Sequence, residues 1–295
     1  MSGVKVPKWR SALRRTAAVL SPLLGDATFL RLMYLAKTGR RLDLRNPRSF
    51  NEKLQWLKIH CRREEMPVMV DKAAAKDWIA ERVGSEYVNP TLGIWSRAED
   101  IDFDSLPESF VLKTTHDCGG VVICRDKASF DRTAAMKTLD EALSRRFWKE
   151  NREWPYKEVT PRIIAEPYLE DGFGELRDYK FFCFDGEPKV MFVATGRSGP
   201  QETCFDFFDM DYAHIDLRNG HPNAAVPPEK PSGFEEMKRL ASRLSGGWPF
   251  LRVDFYDVQG KVYVGELTFY HWSGFVPFDP LRWDLKLGNC LHAPE

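Results

Sequence analysis

The sequence predicts an α+β fold with mostly antiparallel sheets, and three observations predict it. Up to Gly84 the chain carries helical apolar periods and little β pattern. From Phe110 onward, short runs rich in Val, Ile and Phe alternate with turns. Two pairs of these runs fold back over two-residue turns, Asp185-Gly186 and Gln259-Gly260, which is a strong hairpin signal.

The elements follow in order. Residues 27–37 read as a helix ended by Gly39, and Asn46-Pro47 marks a turn. Ser49 then caps a helix through Phe50, Leu54, Leu57 and Lys58, with Glu52 at capping-box spacing. A third helix spans 70–83 and stops at Gly84. Phe110–Thr114 and Val121–Cys124 are β runs joined by the loop His116–Gly120, and 133–148 return to a helical period. Arg162–Leu169 is a strand, Tyr179–Phe184 and Lys189–Val193 form the first hairpin, and 203–208 add a further strand. Ser232 is expected to cap a helix through Phe234, Met237, Leu240 and Leu244, ended by Gly246-Gly247. Phe250–Tyr256 and Lys261–Phe269 form the second hairpin.

At 295 residues, 43% hydrophobic and 29% charged, the chain can bury one large core or two modest ones. No apolar run approaches the roughly 18 residues of a membrane span. The 13% aromatic content excludes a disordered chain. The net charge is zero, yet residues 1–63 hold 15 Lys/Arg against 3 Asp/Glu. The basic head therefore balances an acidic body, and it is expected either to meet an anionic partner or to form a solvated face. Six cysteines (Cys61, Cys118, Cys124, Cys183, Cys204 and Cys290) occur without a CxxC pair. That argues for a reduced, cytoplasmic protein and against zinc.

Arg14-Arg15 precede a short apolar stretch that Pro22 breaks and that lacks a small-residue cleavage site, so an export signal is not expected. As a helix, this segment puts Trp9, Leu13, Ala17 and Leu20 on one stripe, with Lys8, Arg14 and Arg15 off it. Two readings stay open: a basic amphipathic helix at the inner face of an anionic membrane, or docking onto the body. The basic residues lack an aromatic stacking platform, so a nucleic-acid partner is not expected.

Four features carry chemistry. Lys113 ends a strand and faces a Gly-bearing loop, a setting for phosphate oxygens. Glu166 follows in a strand-to-loop segment, with Asp178 and Lys180 further on. Arg252, Asp254 and Tyr256 alternate with Val253 and Phe255, so they share one strand face. They form either an ion pair or a phosphate-plus-metal site. Glu266, on the return strand, has a register that can bring it beside Asp254, and two neighbouring carboxylates with a triphosphate imply Mg²⁺.

This ordered set resembles the TupA-like (teichuronopeptide biosynthesis type) ATP-grasp family. The resemblance rests on Asn46–Leu57 (NPRSFNEKLQWL), Asp71-Lys72, Phe110–Lys113, Ile164–Glu166, Asp178–Phe184, Arg252–Asp254 and Glu266–Phe269, and spans roughly residues 42–288. It implies two α+β lobes clamping ATP behind a short helical N-terminal region. The expected divisions are 1–70 for the N-terminal region, 71–163 for the small lobe and 164–295 for the large lobe. It implies that Lys113 binds the α-phosphate side and that His116, Gly119 and Gly120 belong to a loop over the triphosphate. Glu166 is placed near adenine, Asp178 at the ribose and Lys180 at the phosphates. Arg252 stabilises the transferred phosphoryl group, while Asp254 and Glu266 hold Mg²⁺. His271, Trp272, Ser273 and Gly274 fall at the acceptor end.

Two departures stand out. Thr268 occupies the position where ATP-grasp ligases often carry Asn, which weakens a second metal site. Asp117-Cys118-Gly119-Gly120 replaces a Gly-Ser-Gly loop, so the Asp117 side chain is expected to point away from phosphate. The implied activity is ATP-dependent carboxylate–amine ligation through an acyl phosphate, on a surface polysaccharide or its precursor such as a uronic acid. A sugar kinase using the same nucleotide site is the alternative. A glycosyltransferase is less favoured, because Asp102-x-Asp104 and Asp209-x-Asp211 read as turn acids.

Overall fold

The computed structural model describes residues 7–117, 119–172, 174–197 and 202–292. Cys118 lies outside them, and the other five cysteines are free thiols. The chain begins with helices α1 (Lys8–Val19), α2 (Asp26–Thr38), α3 (Phe50–His60), α4 (Met66–Val70) and α5 (Ala74–Val83). Of the α1 stripe only Ala17 is buried, joining Phe29, Leu30, Met33 and Tyr34 of α2 in one apolar cluster, while Trp9 and Leu20 stay exposed. The α3 capping box forms as expected, with Ser49 Oγ accepting from Glu52 N–H and the Glu52 carboxylate accepting from Ser49 N–H. The helix expected over 70–83 is broken at Asp71. Its carboxylate accepts from Ala73 N–H at 2.9 Å and from Arg162 at 2.8 Å, so it starts a new helix instead of continuing the old one.

A small sheet follows, built from β1 (Gly93–Trp95), β2 (Phe110–Thr114), β3 (Val121–Cys124) and β4 (Ile163–Pro167). Its order is β1-β4-β2-β3, every pair antiparallel. Helix α6 (Arg132–Leu143) covers it through Ala135, Leu139 and Ala142. The helical period expected over 133–148 is split, because α7 (Phe147–Asn151) starts afresh after Ser144.

The larger sheet has the order β10-β9-β5-β6-β7-β8, again antiparallel throughout. Its strands are β5 (Asp178–Phe184), β6 (Glu187–Thr195), β7 (Cys204–Phe208), β8 (His214–Ile215), β9 (Leu251–Val258) and β10 (Lys261–Thr268). Both expected hairpins are present. Asp185 and Gly186 take φ of 49° and 83°, the left-handed geometry a tight hairpin turn needs. Helix α8 (Phe234–Ser245) buries Phe234, Met237, Leu240 and Leu244 against one face. Ser232 does not cap α8, whose first turn has no side-chain cap; the Asp257 carboxylate instead caps the preceding residue by accepting from Gly233 N–H at 2.8 Å. Helix α9 (Arg282–Cys290) packs on α3, and its buried Asp284 accepts from Asn51 N–H at 2.9 Å. Phe50 seats α3 in the main core, 4.8 Å from the Phe250 ring in an edge contact.

The expected divisions shift in two places. Helix α5, expected in the small lobe, packs in the larger sheet's core through Ala75, Trp78 and Ile79. Strand β4, which starts at the expected 163/164 boundary, belongs to the small sheet, so the chain crosses between sheets after Pro167. Each sheet draws on segments distant in sequence, which no local pattern announces. No helix among the described residues is long and apolar enough to cross a membrane.

Candidate active site

A cavity of about 1090 Å³ runs between the two sheets and on toward the N-terminal helices. Its floor is the face of the larger sheet opposite α8. Strict alternation puts Asp178 and Lys180 of β5 on that face, beside Arg252, Asp254 and Tyr256 of β9. Lys180 pairs directly with Asp254 in register.

Glu266 reaches the same face through a β-bulge. Val264 pairs with Phe255, and Glu266 with Asp254, leaving Gly265 as the extra residue. Without the bulge Glu266 would oppose Val253 and face the core. A Cβ on Gly265 would lie 2.8 Å from the Tyr256 ring, so the bulge needs glycine there.

Asp254 is the hub. It accepts from Arg252 Nε and Nη2, both at 2.7 Å, and from Lys180 Nζ at 2.5 Å. Burial pushes its carboxyl up, but the two cations outweigh it and hold it below the ordinary carboxylate range. Glu266 is more open, with a quarter of its side chain exposed, 3.8 Å from Arg252 and 4.0 Å from Lys72.

Across the cavity, Glu166 on β4 accepts from Lys113 Nζ and Lys76 Nζ, each at 2.7 Å. Burial raises its carboxyl, yet the two ammonium groups hold it below its ordinary value. Lys76, on α5, was not singled out in the sequence, and Lys72, which donates to the Asp117 carbonyl at 2.5 Å, entered only as part of the Asp71-Lys72 stretch of the resemblance, with no role given to it. Four-residue spacing in an alanine-rich segment was the one local signal that links them. Arg197, which pairs with Asp178, gave no signal at all.

The expected loop is divided. Gly119 lines the cavity, and Asp117 turns its carboxylate onto the Thr114 hydroxyl, as expected for an acid beside phosphate. His116 is buried outside the cavity lining, its ring Nε2 3.1 Å from the Arg145 carbonyl. Gly120 does not line it either. Its Cα lies so close to Thr114 and Ala142 that any Cβ would clash with both, which makes it a packing glycine.

The segment 271–274 is also divided. Arg252 donates to His271 Nδ1 at 2.9 Å, and His271 Nε2 donates to Asn219 Oδ1 at 2.8 Å. The Asn219 amide donates to the carbonyls of Val276 and Pro277, which fixes its orientation. Burial, Arg252 and Lys180 push His271 well below its ordinary value, so it is neutral. Trp272 and Ser273 both take positive φ, 48° and 54°. The Ser273 carbonyl accepts from Gln55 and Lys58, its N–H donates to Tyr270, and its hydroxyl donates to Glu153. The Gly274 carbonyl accepts from Gln55 at 2.9 Å, and Gly274 does not line the cavity. Ser273 and Gly274 therefore anchor the turn to α3, while Trp272 stays 40% exposed at the cavity edge.

The carboxylate set suits Mg²⁺. Among the described residues no group of three or more His, Cys, Asp or Glu forms a cage. Mg²⁺ is commonly held by one or two carboxylates together with substrate phosphates, and Asp254 with Glu266 provide two. Asp254 Oδ1 accepts one hydrogen bond and keeps acceptor capacity, while Oδ2 already accepts two.

No curated protein matches the chain by sequence. Among solved structures, it is similar to D-alanine–D-alanine ligase from Bacillus anthracis complexed with ATP, at 14% identity and TM-score 0.40, covering 68% of this chain and 53% of that one. It is also similar to D-alanine–D-alanine ligase from Helicobacter pylori, at 13% identity and TM-score 0.46, covering 83% and 69%. D-cycloserine synthetase DcsG is a third, at 16% identity and TM-score 0.42, covering 93% and 81%. The chain spans about half the length of the first of these. The sequence profile of the TupA-like ATPgrasp family, in contrast, matches residues 52–292, and the chain belongs to that family.

Proposed function

We propose that the chain is an ATP-dependent carboxylate–amine ligase. The observation that carries this reading is the Lys180–Asp254–Arg252–Glu266 set on one sheet face, opposite the Lys113–Glu166–Lys76 triad in the same cavity. Lys113, Lys76 and the backbone around Gly119 are assigned to the triphosphate. Glu166, with each oxygen held by an ammonium, is assigned to orienting those lysines rather than to adenine. Asp178 lines the nucleotide side of the cavity and is assigned to the ribose. Asp254 and Glu266 would hold Mg²⁺, whose chemistry there is to neutralise charge on the phosphate oxygens.

In the reaction, an acceptor carboxylate oxygen attacks the γ-phosphorus, ADP leaves, and an acyl phosphate forms. An amine then attacks the acyl carbon, and inorganic phosphate leaves. Lys180 and Arg252 supply fixed cations where charge develops, in a site that excludes much of the water. Neutral His271 positions Arg252 by accepting from it.

The acceptor is proposed to be a carboxylate of a surface polysaccharide or its precursor, such as a uronic acid, joined to an amino acid or other amine in the cytoplasm. Lys8, Trp9, Arg15, Val19 and Leu23 remain exposed, which supports peripheral contact with an anionic membrane. Unchanged co-sedimentation of a Val19→Glu, Leu23→Glu variant with anionic vesicles would remove that contact from the reading.

The activity test is ADP and phosphate release with Mg²⁺ across pools of amino acids and uronic acids. ADP with free phosphate, dependent on both a carboxylate and an amine and lost in Glu266→Ala, supports the ligase. ADP with a phosphorylated sugar and no free phosphate replaces it by a kinase. Failure to bind a nonhydrolysable ATP analogue overturns the reading.

A further inference from the structure

The cavity continues past Arg252 into a second arm, walled by α1, α2, α7 and the 271–276 segment. Arg10 and Arg14 lie one turn apart on α1 and face this arm, together with Lys37 of α2. Trp272, Phe205 and His221 line it as well.

The charge pattern here differs from that of the nucleotide side. There, each lysine or arginine lies within 4.0 Å of a carboxylate: Lys76 and Lys113 at Glu166, Lys180 and Arg252 at Asp254, Lys72 at Glu266. Among the described residues no carboxylate lies within that distance of Arg10, Arg14 or Lys37. Arg10 is used on the Ala36 and Lys37 carbonyls, where it caps α2. Lys37 is half-buried, donates to Asn151 Oδ1 at 2.8 Å and sits 4.5 Å over the Phe275 ring. None of these contacts neutralises it. Arg14 is exposed into the arm and close enough to Lys37 to repel it. Among the described residues lining the arm the acid is Glu153, which engages Ser273; it and Glu150 attract Lys37 from beyond 4.0 Å.

We propose that this second arm is the acceptor site and that Lys37 and Arg14 bind an oxyanion, carboxylate or phosphate, carried by the acceptor substrate. The inference rests on the ligase reading, because it needs the arm to open onto the reacting centre at Arg252. Two unpaired cations in a partly desolvated arm gain most from a ligand that brings the missing charge. A guanidinium and an ammonium accept both oxyanions, so the geometry defines the charge and leaves its source to experiment.

The test is calorimetry on the full chain saturated with a nonhydrolysable ATP analogue and Mg²⁺. Glutarate and glycerol 3-phosphate are the probes, and glycerol is the neutral control. At least one oxyanion binds and glycerol does not; the one that binds identifies carboxylate or phosphate. Arg14→Gln, at an exposed position, weakens binding about threefold, and Arg14→Gln with Lys37→Gln about tenfold or more. The affinity for the ATP analogue stays within about twofold. No oxyanion binding to the wild type, or equal binding in both variants, overturns the proposal. If the ATP analogue itself does not bind, the ligase reading falls. The same titration on nucleotide-free protein, with its dependence on Arg14 and Lys37, then decides the oxyanion site by itself.

Discussion

The two arms of the cavity arrange their cations in opposite ways. The nucleotide arm pairs its cations internally. Among the described residues, six of them (Lys72, Lys76, Lys113, Lys180, Arg197, Arg252) line it with four carboxylates, those of Glu166, Asp178, Asp254 and Glu266. The acceptor arm leaves Arg14 and Lys37 with no carboxylate within 4.0 Å among the described residues. Internal pairing fixes geometry before any ligand arrives, which favours electrostatic preorganisation at a reacting centre. Unpaired cations cost stability in the free protein and return it when an anion binds. Rigidity therefore belongs to the chemical step and charge deficiency to selection of the acceptor.

The sharpest way to break the comparison is Asp254→Asn. It leaves Arg252 and Lys180 buried without their carboxylate. Stability should fall by about 3–5 kcal/mol in urea denaturation. ADP release should fall on the order of a thousandfold. A stability loss below about 1 kcal/mol would mean that the nucleotide arm is not held by its internal pairs.

Glu266→Gln separates chemistry from stability within the same arm. Glu266 has no charged partner closer than 3.8 Å and is partly open. Turnover should drop about a hundredfold, equivalent to about 3 kcal/mol in the barrier. The unfolding free energy from urea denaturation should change by no more than about 0.5 kcal/mol.

Acid pH should dismantle the nucleotide arm first. Glu166 and Asp254 both sit below their ordinary values of 4.5 and 3.8 in the folded chain. Their contribution is full above the unfolded values and is lost as pH falls through the lower folded ones. The melting temperature of the wild type should therefore decline more steeply than that of Glu166→Gln below pH 4.5. Parallel curves would show that Glu166 carries no folding-linked charge. The smallest effect belongs to the other arm. Arg14→Gln should leave the melting temperature unchanged, within about 0.5 kcal/mol, because no protein carboxylate is lost.

Much of the nucleotide arm was legible because its residues lie in short alternating strands. Arg252 and Asp254 on one face follow from a period of two, and the Gln259-Gly260 turn brings Glu266 back toward them. The bulge at Gly265 was not legible: a regular register would have sent Glu266 into the core. His116 and Gly120 looked like loop chemistry, but burial against Arg145, Thr114 and Ala142 gives them packing roles. Ser273 and Gly274 were expected at the acceptor end, yet a left-handed turn hands their carbonyls to Gln55 and Lys58 and anchors them to α3. Lys58 shows how far context reaches. It was expected only as one position on the α3 helix, and burial pushes its ammonium down to about 7.

By itself, the sequence determined the α+β class, both hairpins, the α3 capping box and the strand face that carries Arg252, Asp254 and Tyr256. These are local properties, set by side-chain period, turn chemistry and caps within a few residues. The tertiary structure alone decided that Lys76 and Lys72 join the site, that Asp257 rather than Ser232 holds the Gly233 N–H ahead of α8, and that Arg14 and Lys37 face the cavity. It also decided which cations have carboxylate partners. Those outcomes depend on contacts between segments distant in the chain, where one ångström or one residue of register changes what a charge meets.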